Sequence, residues 1–387
     1  MPLILTYSQH IKTIVEDEVL EKLNTKSQEI NIRTSSRNNH TIITKKRQMK
    51  QSHHITSINN SKEQDFDNEV LQEIFQSSTP TIYNINIPNQ SNKNVKNNLK
   101  NKFVTTEKLH LKLPPQNSSG IINITLKTAQ NFTHNNKSIP KDKTTKIRLE
   151  LEIEQQQDNN TQNQFPSTGM ILINVIIPSS TTVHIITTKK ELTKKKSTNQ
   201  PISSNNERKS HLFLHIKSII NKNSTLYLTN VLENTTFLYL RNTPNLEEEH
   251  AEYQELTILK SKGQETSDIR TVAILNNRDT KAIIQFKGVL EHHSKCISRT
   301  NIIINKNAEN SQGIEKSEII LVDEESKADC IPELEVHNDN TSCMHSGSIT
   351  SLNEEKVFYL KSRGLSTEQA KELIITSFTS IEDHLAP

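Results

Sequence analysis

The 387-residue sequence predicts a mainly β fold: a parallel β-helix with a C-terminal helical hairpin and a polar, partly helical N-terminal region. Three observations carry this reading. Short β-branched runs recur along the chain: IINITL (121–126), ILINVII (171–177), VHIIT (183–187), LFLHI (212–216), TLYLTNV (225–231), TFLYL (236–240), LTILK (256–260), TVAIL (271–275), AIIQF (282–286), NIIIN (301–305) and EIILV (318–322). Each has strand length, and most begin ~10–17 residues after the previous one. No ten-residue helical pattern lies between them, which argues against strand–helix–strand crossovers. Hydrophobic residues make up only 32%, where an average soluble domain has ~45–50% apolar residues. A narrow core repeated along an axis accommodates so low a fraction.

The N-terminal region, residues 1–105, is rich in Asn and Lys, and all seven glycines lie after it. Two amphipathic stretches there predict helices, Ile11–Leu23 and Asp67–Phe75, the second with Val70, Ile74 and Phe75 on one face. Between them SSRNNHTIITKKRQMKQSHH reads as a mobile basic segment. A solvated linker suits it better than a nucleic-acid arm, because no aromatic residue interleaves with the charges.

Residues 106–342 form the predicted core. Several runs are apolar at consecutive positions, as in a parallel sheet covered on both faces. An antiparallel sandwich is the alternative; the β-helix is favoured because the hairpin dipeptides Asn-Gly and Asp-Gly are missing.

Residues 343–387 change character again. In LNEEKVFYLKSRGLSTEQAKELIITSF, Val357, Phe358, Leu360 and Lys361 end a short helix, and Gly364 stands where a left-handed C-cap belongs. Ser366 followed three positions later by Gln369 is a capping-box signature. Ala370, Leu373, Ile374 and Phe378 give the second helix an apolar face. A hairpin of ~25 residues is unstable unless that face packs on something. Its apolar area exceeds what one contact with the β-helix end requires, so part of it suits a partner in the helix-in-groove manner. Capping of the β-helix is the plainer reading. A DNA-reading helix is disfavoured, since the second helix carries Glu368 and Glu372 against one base, Lys371.

Charge and motifs exclude several classes of function. Lys+Arg is 47 and Asp+Glu 44, leaving +3, too little for a bulk polyanion binder. Three cysteines (Cys296, Cys330, Cys343) with no CxxC pair argue against a disulfide framework and a four-thiolate zinc site. The opening residues lack a secretory pattern and no run approaches the ~20 apolar residues of a membrane helix, so a cytoplasmic chain is expected, or a plastid one if organelle-encoded. There is no GxxxxGK[ST], no GxSxG and no HExxH, so the chain is expected to be neither an ATPase nor another enzyme of these classes. A carbohydrate-binding or adhesin-like β-helix is the alternative function, weakened by an aromatic content of 4%.

The metal-ligating candidates are few. Cys343 and His345, two residues apart, point to the same side if they lie on a strand and could share one metal. Cys330 and His337 are close in sequence without a defined direction. Cys296 sits beside His292 and His293 in HHSKCIS, where an exposed turn is the plainer account. For each cysteine the ordinary alternative is a small buried hydrophobe.

The segment from Ala328 to Phe378 resembles the end of the SufB/SufD family, the scaffold subunits of the SUF iron–sulfur cluster assembly system. The pieces that carry the resemblance are IPELEV (331–336), CMHSGS (343–348), NEEKVFYLKSRGLS (353–366) and the closing helix, in this order. It implies a right-handed parallel β-helix and a transient iron–sulfur cluster at a subunit interface. It also implies pairing with a second SufB/SufD-type subunit and docking of a SufC-type ATPase, with His345 and Cys343 as cluster ligands. Val357, Phe358, Leu360, Arg363, Gly364, Leu373, Ile374 and Phe378 would form the docking hairpin. Ser346 follows the histidine where the SufB type has Glu, and Ser317 or a neighbour stands where the SufB type has a strand cysteine. These departures point to a SufD-like member; a single SufB/SufD-type homologue with reduced ligands is the other reading.

Overall fold

The computed structural model describes residues 30–34, 42–47, 81–87, 105–113, 118–126, 145–155, 167–191, 210–233 and 235–381. The first strands in chain order are β1 (Asn31–Thr34), β2 (Ile42–Arg47), β3 (Thr81–Ile87), β4 (Thr105–Leu113), β5 (Ser118–Leu126) and β6 (Thr145–Gln155). Then come β7 (Ser167–Ile177), β8 (Thr181–Glu191), β9 (Ser210–Ile220), β10 (Thr225–Glu233), β11 (Phe237–Leu246) and β12 (Glu252–Lys262). The last are β13 (Thr266–Leu275), β14 (Lys281–Glu291), β15 (Lys295–Ile304), β16 (Gln312–Leu321), β17 (Lys327–Val336) and β18 (Ser342–Ser351). Helices α1 (Glu354–Ser362) and α2 (Thr367–Phe378) follow.

From β3 onward, successive strands alternate between two sheets. One sheet runs β1-β4-β6-β8-β10-β12-β14-β16-β18, the other β17-β15-β13-β11-β9-β7-β5-β3-β2. Each strand from β5 to β18 therefore pairs in parallel with the strand two before it, as expected of a β-helix and not of an antiparallel sandwich. Among the described residues only β1 with β4 and β2 with β3 pair antiparallel. Coils starting at residues 225, 252, 281 and 312 are aligned in register with the next, which fixes what stacks on what.

The corners explain how the chain turns without the usual hairpin glycines. Ser180, Asn223, His250, Asp279 and Asn310 take left-handed φ of 54–60° at equivalent corners. Small polar side chains, Asn and Asp above all, tolerate that region. Each donates its backbone N–H to the corner of the next coil, as Asp279 does to Glu309 O at 2.9 Å and Asn310 to Asn340 O at 2.7 Å. An asparagine ladder supports the ends of second-sheet strands: Asn276 donates to Asn245 Oδ1 at 2.5 Å, and Asn305 to Asn276 Oδ1 at 2.6 Å.

The core is the column between the sheets. On β14, Ala282, Ile284, Phe286 and Leu290 face inward, and on β15 Cys296, Ile302 and Ile304 oppose them. A polar knot built on the buried Glu255 of β12 interrupts the column.

Two expectations change. The basic segment 35–54 contains β2, which pairs antiparallel with β3; Ile42, Ile43 and Thr44 supply β-branched residues at its start. Strands β1, β2 and β3 thus lie within residues 1–105, while the candidate helices Ile11–Leu23 and Asp67–Phe75 lie outside the described residues. Strands β4 and β6 also carry a signal that consecutive apolar runs miss. Leu109, Leu111 and Leu113, and Ile147, Leu149, Leu151 and Ile153, alternate with charges and are buried. The outward positions pair Lys108 with Glu152 (2.7 Å), His110 with Glu152 (2.8 Å) and Lys112 with Glu154 (3.1 Å).

The hairpin follows its local signals. Asn353 caps α1 by accepting from Lys356 N, Gly364 takes φ +97° just past the helix, and Ser366 and Gln369 form the capping box of α2. One tie to the β-helix is Lys287 of β14, whose Nζ donates to Phe378 O at 2.9 Å and lies 5.4 Å from the Phe378 ring centroid. A charged hydrogen bond contributes ~1.5–3 kcal/mol and a cation–π contact about 0.5–1 kcal/mol. Lys287→Ala should therefore speed amide hydrogen exchange across residues 367–378 while exchange in β14 stays unchanged. Equal exchange in α2 would show that other contacts hold the hairpin.

Candidate functional site

The last strands of the two sheets, β17 and β18, are an open end: no strand lies beyond either among the described residues. Every residue of β18 except Cys343 is exposed. Val336, Met344 and Ile349 are exposed apolar side chains at this end.

Cys343 and His345 lie on β18, opposite Gly313 and Glu315 of β16. The period of two puts both on one side of the strand, as the sequence predicts, and their β16 partners Gly313 and Glu315 show that this side faces inward. Cys343 is half-buried and packs against the core, while His345 is exposed near Glu315. A thiol and an imidazole on one face can ligate iron together. Among the described residues no group of three or more His, Cys, Asp and Glu converges to hold a metal ion.

The other candidates separate. Cys296 is not in the exposed turn expected of it: it lies on β15, 2% exposed in the core, and burial pushes its thiol well up, as for a small buried hydrophobe. His292 and His293 lie in the exposed turn before it, and His292 Nδ1 faces Asp323 at 3.9 Å. His337 is exposed beyond β17 and bonds Glu335 at 2.8 Å.

Cys330 of β17 comes across the lumen to meet β16 and β18. Burial pushes its thiol up, opposed by the neighbouring Ser317 hydroxyl, and its sulfur lies 3.0 Å from where a Cβ on Gly347 of β18 would stand. Ser317 donates to Glu315 Oε1 at 2.5 Å. Burial also raises the Glu315 carboxyl, against the Ser317 hydroxyl and the charge of His345. Sequence spacing could not find this grouping, because it depends on which coil positions face each other across the lumen.

The hairpin presents a second surface. Helix α1 has no buried residue and α2 only Ala370. Phe358 is 75% exposed, Tyr359 56% and Leu373 50%. Val357, Leu360, Ile374 and Phe378 are partly covered, whereas Gly364 and Arg363, which stacks 5.3 Å from Tyr359, are exposed.

A family model described as the SufBD core domain of SUF system FeS cluster assembly matches residues 155–378. A SufBD family iron–sulfur cluster assembly protein of Staphylococcus epidermidis is 34% identical over 118 residues, 30% of this chain and 25% of that protein. Relatives of the same description from Staphylococcus haemolyticus and Staphylococcus aureus are 33% and 32% identical over 117 residues, with the same coverage. The matched stretch thus spans about a quarter of each relative's length. No described helix is long and apolar enough to cross a membrane. The matched residues include β7 to β18 and both helices, and the chain belongs to the SufBD core-domain family of the SUF system.

Proposed function

We propose that the chain is a non-catalytic, cytoplasmic scaffold subunit of a SUF-type iron–sulfur assembly complex, closest to the SufD type. It pairs with a second SufB/SufD-type subunit through the open end and docks a SufC-type ATPase on the hairpin. The observation that carries this is the open end itself. Edge strands present unpaired backbone groups that invite pairing, and β18 sets exposed Met344 and Ile349 beside Cys343 and His345. A partner seated there would supply the ligands this end lacks, so a transient cluster forms at the shared interface. ATP chemistry is assigned to the docked subunit, since the sequence carries no GxxxxGK[ST] motif.

Co-expression of the full chain with the ATPase and a second subunit, followed by gel filtration, tests the assembly. The three should co-elute, and deleting residues 353–387 should abolish retention of the ATPase while pairing with the second subunit survives. His345→Ala should lower cluster delivery from the anaerobically reconstituted complex without changing its circular dichroism. Full ATPase retention by the truncated chain would reject the docking assignment, and unchanged delivery by the variant would return His345 to a surface role.

A further inference from the structure

The outer face of the second sheet carries a row of basic side chains in register. On β9, β11 and β13 the core takes Leu214 and Ile216, Leu238 and Leu240, and Ile269 and Ala273. The period of two therefore turns His215, Arg241 and Arg270 outward, and Arg299 of β15 with them. The four are successive cross-strand partners: His215 with Arg241, Arg241 with Arg270, and Arg270 with Arg299. Neighbouring strands lie only ~4.8 Å apart, and like charges directly opposite destabilise a sheet. Burial and the charges of Lys217 and Arg241 hold His215 well below its usual value, so it is neutral, but Lys217 adds a further cation beside it. Burial and the neighbouring Arg299 charge likewise pull the Arg270 guanidinium down. Carboxylates on this face are fewer. Asp268 accepts from Arg299 Nη2 at 2.9 Å, while Asp329 and Glu333 stand on the edge strand β17. Arg241 is 2% exposed, and among the described residues its Nε and Nη1 have no hydrogen-bond partner. Asp268 Oδ1 is unpartnered too, but turning it toward Arg241 would still leave one buried carboxylate among three guanidinium groups.

We propose that Arg241, Arg270 and Arg299 form a binding site for a tetrahedral oxyanion of the phosphate class. Guanidinium forks match phosphate oxygens two at a time, and one phosphate spans two such groups a strand spacing apart. Arg241 supplies the buried donors that lack a partner. Arg299, with 27% of its side chain exposed, stands at the entrance. Phe213 and Tyr239 precede His215 and Arg241 on the same face, and with Phe237 they form a buried aromatic wall, ring centroids 5.6–6.1 Å apart. Such a wall keeps water from the guanidinium groups and strengthens their hydrogen bonds. Burial pushes the Tyr239 hydroxyl up to about 12, so it adds no negative charge. Free phosphate and the phosphoryl end of a small ester offer the same chemistry to this row.

Isothermal titration calorimetry of the full chain tests this, with inorganic phosphate and glycerol phosphate titrated separately in a buffer free of both. Saturable binding at a single site is expected. Tighter binding of inorganic phosphate identifies the free ion as the ligand, and tighter binding of glycerol phosphate identifies an ester. Arg241→Gln should weaken binding roughly ten- to a hundredfold, the loss of its charge-assisted hydrogen bonds, with the circular dichroism of the parent. Arg299→Gln at the entrance should weaken it by roughly tenfold, which keeps the proposal testable if the buried variant misfolds. Arg278→Gln, at an exposed position after β13, should leave Kd unchanged. The proposal is overturned if neither anion binds, if Arg241→Gln and Arg299→Gln both bind as the parent does, or if Arg278→Gln weakens binding equally.

Discussion

Glu255→Ala should lower the unfolding free energy by about 3–5 kcal/mol, the range for stranding buried polar partners, as read from urea midpoints. The carboxylate lies buried inside the column. It accepts from Tyr253 Oη at 2.6 Å, Asn242 Nδ2 at 2.7 Å, Thr257 Oγ1 at 2.8 Å and Thr271 Oγ1 at 3.0 Å. Tyr253 and Thr257 belong to its own strand, but Asn242 and Thr271 come from β11 and β13 of the opposite sheet. The side chain therefore ties the two sheets across the core. Alanine would leave four buried donors without an acceptor and open a void between them.

Burial raises the Glu255 carboxyl above its ordinary value, against the four donors that favour the charged form. The folded state thus holds this proton more tightly than the unfolded state does. Its contribution to stability is greatest below the unfolded carboxyl range and is lost as pH rises through the higher folded value. Glu255→Gln cannot titrate, so it should flatten that part of the stability–pH curve. A parallel curve in the variant would place the proton elsewhere.

The parts of the fold that are legible in the sequence are those decided locally. The hairpin is an example: Gly364, Ser366 and Gln369 specify the ends of two helices within a few residues. Strands such as β9 and β15 announce themselves because both of their faces are largely covered, leaving consecutive apolar positions. Strand β6 hides because its outward face is charged and its inward leucines and isoleucines appear only at every second residue. The site divides in the same way. Cys343 and His345 share a face by strand period alone, whereas Cys330 meets Ser317 only because successive coils bring β17 opposite β16. That meeting is set by coil length, which no local pattern encodes.

Phe358→Asp combined with Leu373→Asp should weaken ATPase binding by two to four orders of magnitude while leaving the fold intact. The two side chains, 75% and 50% exposed, lie on α1 and α2 with Tyr359 beside Phe358. Covering a Phe or Leu side chain contributes ~1.5–3 kcal/mol each, so losing both removes about 3–6 kcal/mol, or roughly 10²–10⁴ in Kd. The added carboxylates would also be carried into a desolvated contact, which penalises the bound state further. Folding should be indifferent, because both side chains are exposed; thermal melting by circular dichroism checks this. Ala370→Asp supplies the contrast. Ala370 is fully buried in α2, so a carboxylate there should loosen the whole helix, seen as faster hydrogen exchange over 367–378. If the double variant binds the ATPase as the parent does, the exposed apolar surface serves some other partner. If only Ala370→Asp reduces binding, the partner reads the position of the helix and not its outer face.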